Sequence, residues 1–189
     1  MHRIACLVLA GLVLGTVAGA GEIEGVAFPD QVTVGTANLT LNGMGVRVKK
    51  IAFIGIKVYA AALYLPAKEA DPGKILDADE PKRLVMHFLY KEVGKDKLLE
   101  GWSEGFKNNS GEKLAALKDR IATFDGFWSA MKKDDVAVLT YTPGEGTRVE
   151  IKGKEMGVIP GADFASALFA IWLGPKPPNE DLKKGLLGR

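Results

Sequence analysis

The chain has 189 residues, with 25 Lys and Arg against 23 Asp and Glu and a formal net charge of +2. That near-balance gives no electrostatic reason to expect nucleic acid or an acidic membrane surface as a partner. One cysteine and two histidines in the whole sequence leave little for thiol or metal chemistry.

The N-terminus reads as a signal peptide over residues 1–20. His2 and Arg3 lead into an apolar run from Ile4 to Val17, and the small-residue site Ala18-Gly19-Ala20 precedes Gly21-Glu22. The run is shorter than the roughly 20 apolar residues a membrane-spanning helix needs, so cleavage is expected rather than an uncleaved anchor. Cys6 leaves with the leader, and the mature chain, residues 21–189, is then free of cysteine. The expected location is the periplasm or the medium, with no stable membrane insertion after cleavage. The mature length suits one domain, large enough to bury roughly 70% of its unfolded surface without disulfides.

The first half of the mature chain has β character. Val32, Val34, Leu39 and Leu41 alternate with polar residues, and Asn42-Gly43 predicts a tight turn. The stretch Lys50 to Leu65 is rich in β-branched and aromatic residues and reads as one buried strand ended by Pro66. Asp71-Pro72-Gly73 reads as a loop and Arg83 to Tyr90 as a further strand. The period then changes to 3.6. Leu98, Leu99, Trp102 and Phe106 share one helical face, and Asn109 with Glu112 reads as the capping box of a second helix striped by Leu114, Leu117 and Ile121. Val136–Tyr141 and Thr147–Ile151 flank Pro143-Gly144-Glu145-Gly146 as a hairpin. Phe164, Leu168, Ile171 and Trp172 mark a late helix, stopped at Gly174-Pro175, and Asp181 to Leu187 a short last one. The order is α+β: an antiparallel sheet covered on one face by helices.

Candidate chemistry is sparse. His87 is the one histidine of the mature chain and stands inside an apolar strand, without the three or four ligands a zinc site needs. No G-x-S-x-G elbow occurs, and Gly43-Met44-Gly45 and Gly144-Glu145-Gly146 read as turn glycines rather than phosphate loops. Neither metal nor cofactor is expected. Arg47 follows a glycine-bearing turn and precedes the most apolar strand. Beside an apolar cavity it would hold a carboxylate or phenolate by two parallel hydrogen bonds; the plainer alternative is a surface ion pair. Trp102, Phe106 and Trp172 read first as core.

Leu41-Asn-Gly-Met-Gly-Val-Arg47, Phe53-Ile-Gly-Ile-Lys-Val-Tyr59, Ala62-Leu-Tyr-Leu-Pro66 and the C-terminal Phe164-Ala-Ser-Ala-Leu-Phe169, Ile171-Trp-Leu-Gly174 and Leu186-Leu-Gly188 resemble the chalcone isomerase-like proteins, especially their short exported bacterial branch. The resemblance implies an open-faced β-sandwich with an apolar cleft between a large antiparallel sheet and its helices. It implies that Arg47 occupies the place of the arginine that holds the substrate phenolate in the plant isomerases. The catalytic threonine's place falls at Ile54, the tyrosine's near Trp102, and the asparagine's near Asn108 or Asn109. Ile54 and Trp102 cannot supply the hydroxyls, and losing one such donor typically costs roughly 100- to 1,000-fold in rate.

The related non-catalytic branch binds fatty acids, which implies a binding site built from Arg47, Ile54, Tyr59, Trp102, Phe106 and Asn109. Three functions of different class follow. The first is a non-catalytic binder of a fatty acid or similar amphipathic carboxylate. The second is an intramolecular lyase or isomerase drawing hydroxyls from Tyr59, Tyr90 or Ser166. The third is an interaction protein whose cleft is filled by its own side chains. An open cavity with Arg47 in its wall separates the first from the third.

Overall fold

The structure, a computed structural model, describes residues 20–189. The leader expected over residues 1–20 lies outside them, apart from the backbone of Ala20. The chain starts with a small hairpin, β1 (Ala20–Ile23) and β2 (Val26–Pro29). It continues into β3 (Gln31–Val34), the long β4 (Ala37–Ile51) and β5 (Ile54–Leu65). A short helix α1 (Pro72–Asp77) precedes β6 (Lys82–Phe88) and the two-residue β7 (Glu92–Val93). The helical middle is α2 (Lys95–Ser110), a 3-10 segment (Gly111–Leu117) and α3 (Lys118–Phe127). Then come β8 (Met131–Lys132), β9 (Val136–Thr142), β10 (Gly146–Ile151) and β11 (Lys154–Ile159), and finally α4 (Ala162–Leu173) and α5 (Glu180–Leu186).

Seven of the strands form one antiparallel sheet in the order β11-β10-β9-β6-β5-β4-β3. This is the expected α+β architecture: a large sheet with its helices layered on one face. The two-residue period of a strand sends alternate side chains to opposite faces. Tyr59, Ala61, Leu63 and Leu65 of β5 join Leu84, Met86 and Phe88 of β6 under the helices. Ala60, Ala62 and Tyr64 point the other way, against Phe28 of the small hairpin and Val34 and Leu39. Burial on both faces is why β5 shows no polar alternation. α4 is buried nearly all round, since it sits within the helical layer on top of the sheet.

Several local expectations are corrected. Lys50–Leu65 is not one strand: β4 ends at Ile51, the chain reverses over Ala52 and Phe53, and β5 begins at Ile54. Ala52 takes φ 53° there, a left-handed conformation more often given to glycine or asparagine. Asn42-Gly43 makes no turn. Asn42 is the extra residue of a β-bulge within β4, where pairing shifts between Leu41 and Gly43. Its buried amide donates to the carbonyls of Glu69 and Leu186 and accepts from Glu69 N–H, tying the strand to both flanking segments.

The neighbouring glycines serve close approach rather than turning. A Cβ on Gly43 would lie within 2.2 Å of Gly185 O, and one on Gly45 within 2.7 Å of Leu182 O, so α5 lies directly on the backbone of β4. Asp71-Pro72-Gly73 opens α1 instead of forming a loop: Asp71 Oδ1 accepts from the Gly73 and Lys74 amides, with proline in the first turn. Asn109 caps nothing, because α2 continues through it to Ser110.

Candidate functional site

The site begins at a second irregularity in the β4–β5 ladder. Arg47 pairs with Tyr59, but Val48 pairs with Lys57, so Val58 is the extra residue on β5. The displaced Val58 carbonyl accepts from Leu89 and Tyr90 N–H, and Val48 N–H donates to Asn179 Oδ1. Such bulges re-aim the side chains beside them. Here they flank the wall of a cavity of about 560 Å³ between β4, β5 and α2, inside the roughly 300–1,000 Å³ usual for small-molecule pockets.

The cavity has a buried apolar interior and a charged rim. Tyr59, Leu98, Trp102 and Ile171 are buried lining residues, with Val58 and Val93 half-buried beside them. Lys49, Ile51, Tyr90, Lys97, Glu100 and Glu104 stand exposed around the opening, and Pro177 and Pro178 close one side. α2 turns a sparse face to this space. A Cβ on Gly101 would meet nothing within 4 Å, whereas one on Gly105 would come within 2.6 Å of Ile171 Cγ2. Gly105 thus lets α2 approach α4, and Gly101 leaves volume open.

Arg47 and Tyr59 bring polar groups to the inner wall. Arg47 is half-buried, its Nη1 donates to Val48 O at 2.6 Å, and among the described residues it has no carboxylate partner. The Tyr59 hydroxyl is fully buried and accepts a hydrogen bond from Trp172 Nε1 at 2.9 Å. Its own proton is donated to no protein acceptor among the described residues. Burial pushes the Tyr59 phenol up to about 12, against the opposing influence of Trp172 and the Arg47 charge. The hydroxyl is therefore neutral at ordinary pH. An acceptor placed between the two would meet a permanent cation and a neutral O–H donor, the pairing suited to a carboxylate.

The six residues implied by the resemblance divide evenly. Arg47, Tyr59 and Trp102 line the cavity. Ile54 does not: it stands 69% exposed at the β4–β5 tip, because the hairpin reverses just before it. Phe106 is sealed in the core against Phe124 and Phe164. Asn109 is spent on structure, its amide donating to Gly105 O and Lys176 O and accepting from Lys176 N–H. Its neighbour Asn108 lines the cavity.

The lining residues that sequence reasoning missed, Val58, Val93, Ile171 and Pro177-Pro178, carry no local signal, since they meet only through tertiary packing. His87 sits 3.3 Å from Asp134 Oδ1 on the sheet surface. Among the described residues no group of three or more His, Cys, Asp or Glu side chains gathers as a metal site requires. Nor, among them, is any helix long and apolar enough to cross a membrane.

Comparison with curated protein sequences returns no match. Among solved structures, the chain is similar to the crystal structure of an Arabidopsis thaliana fatty-acid binding protein. The TM-score is 0.71 at 17% identity, over 89% of this chain and 96% of that one. At that identity the likeness speaks for the fold. A family profile described as chalcone isomerase-like matches residues 20–188, nearly the whole chain, and with the curled antiparallel sheet and its helical cover it settles the affiliation: the chain belongs to the chalcone isomerase-like family.

Proposed function

We propose that the protein is a non-catalytic binder of a fatty acid or similar amphipathic carboxylate. Arg47 and Tyr59 hold the head group, and Val58, Leu98, Trp102 and Ile171 hold the tail. One observation carries this: a half-buried arginine with no carboxylate partner among the described residues lies across the ladder from a buried tyrosine whose hydroxyl donates to no protein acceptor among them, at an open apolar cavity. The fatty-acid binding protein of similar fold supports it. The N-terminal pattern supports export, so the mature chain is expected to start at or near Gly21. N-terminal sequencing of the native form checks this.

Titration with a fluorescent long-chain fatty acid tests the binding. A charge-assisted contact of this kind is worth about 1.5–3 kcal/mol, so Arg47→Ala is expected to weaken affinity roughly 10- to 150-fold. Arg47→Lys should recover only part of that, because an ammonium lacks the planar fork. If wild type binds no acyl ligand, or Arg47→Ala binds as well as wild type, the proposal fails. Marked acceleration of chalcone ring closure by wild type would favour an isomerase, with the Tyr59 and Tyr90 hydroxyls at the same cavity.

A further inference from the structure

The balanced net charge conceals a local asymmetry. From Gln31 to Lys68 the chain contains no acidic residue but has Arg47, Lys49, Lys50, Lys57 and Lys68. Four of these cations lie on the outer part of the β4–β5 hairpin, whose tip is apolar. Phe53 is 105% exposed, Ile54 69% and Ile51 54%. Large apolar residues grouped on a projecting tip mark an interaction site more reliably than scattered ones.

We infer that this tip docks on an anionic lipid surface, with Phe53 and Ile54 in the outer apolar layer and Lys49 and Lys50 among the head-group phosphates. The order of residues favours lipid over protein. Cations directly behind an apolar tip match the layering of a membrane interface, whereas protein interfaces are depleted in lysine. Only Ala52 and Phe53 lie beyond the paired ladder, so shallow entry strands little unpaired backbone in hydrocarbon.

Two of the four nearby acids are engaged. Glu24 pairs with Lys57 at 2.7 Å and Glu100 with Lys97 at 2.6 Å, while Glu92 and Glu104 stand at the α2 side of the opening. Lys49 and Ile51 also belong to the cavity wall, so docking would set the opening against the membrane. The purpose of docking, acyl transfer into the cavity, rests on the fatty-acid reading; the docking itself does not.

Co-sedimentation of the mature protein with vesicles of two parts phosphatidylcholine to one part phosphatidylglycerol provides the test, with pure phosphatidylcholine as the neutral arm. Binding is expected to the anionic vesicles and to weaken with added salt. Phe53→Ser should lower partitioning about tenfold or more, and Lys50→Gln about fivefold. Both residues are exposed and lie outside the cavity, so fatty-acid titration in solution should be unchanged in either variant. Failure of vesicle binding with normal titration overturns docking alone, and failure of titration with normal vesicle binding overturns the cavity reading alone. Equal binding to neutral vesicles, unchanged partitioning of Phe53→Ser, or self-association in sedimentation velocity that Phe53→Ser abolishes would each refute the lipid surface as occupant.

Discussion

α2 makes two different interfaces along its inner side. On one stripe, Trp102 and Phe106 pack with Phe124, Trp128, Phe164 and Trp172, with ring centroids 5.0–6.2 Å apart in tilted and edge-on pairs. On the adjoining stripe, Leu98 and Gly101 line the cavity together with Val58 and Tyr59, and Gly105 packs directly on Ile171. Trp102 borders both. A dense aromatic cluster resists compression, so it can hold a helix away from a sheet and leave an unfilled space beside it. The filled stripe accounts for the helix's position, and the open stripe for what the position is good for.

If that division is right, substitutions should separate stability from binding. Phe124→Ala removes a fully buried ring from the packed stripe and should cost about 3–5 kcal/mol of unfolding free energy. At temperatures where the variant stays folded, its acyl affinity should change little, which denaturant melts and titration together would establish. A parallel collapse of binding in the folded variant would mean the two stripes are one structure.

Gly101→Leu should do the opposite. Replacing an exposed mid-helix glycine gains up to about 1 kcal/mol of helix propensity, while the new side chain enters open space at the cavity edge. Affinity should fall and the melting temperature should not. Unchanged affinity would place the ligand elsewhere.

The smallest effect concerns pH and belongs to the packed side. Burial pushes the Asp125 carboxyl above its ordinary range, only partly offset by Lys95, and its Oδ1 has no hydrogen-bond partner among the described residues. The folded protein therefore holds that proton more tightly than the unfolded chain, and ionisation costs stability once pH rises through the carboxylate range. Asp125→Asn should be modestly more stable than wild type at neutral pH, and the gain should vanish on acidification. Thermal melts across pH decide it; a gain that persists in acid contradicts the assignment.

Layers were readable in the sequence where one side chain period dominated. The α2 stripe, the β9–β10 hairpin and the α4 helix all follow from the spacing of their apolar residues. Legibility failed where backbone met backbone. Asn42-Gly43 and Gly45 look like turn residues, yet their role depends on α5, more than 130 residues later in the chain. The same limit applies to the site. Arg47 and Tyr59 could be named as candidates, since the arginine precedes the most apolar stretch and the tyrosine lies within it. Ile54 and Asn109 were misplaced because a two-residue reversal at Ala52-Phe53 and the continuation of α2 shift what each position faces. Nothing local marks Gly101 as the residue that leaves the cavity open.

The central claim is that Arg47 meets a carboxylate inside this cavity, and carbon-13 NMR of a long-chain fatty acid labelled at its carboxyl tests it most directly. A neighbouring fixed cation favours the ionised form, so the bound carboxyl should titrate at lower pH in wild type than in Arg47→Ala. A bound signal that titrates identically in the two proteins would contradict the claim.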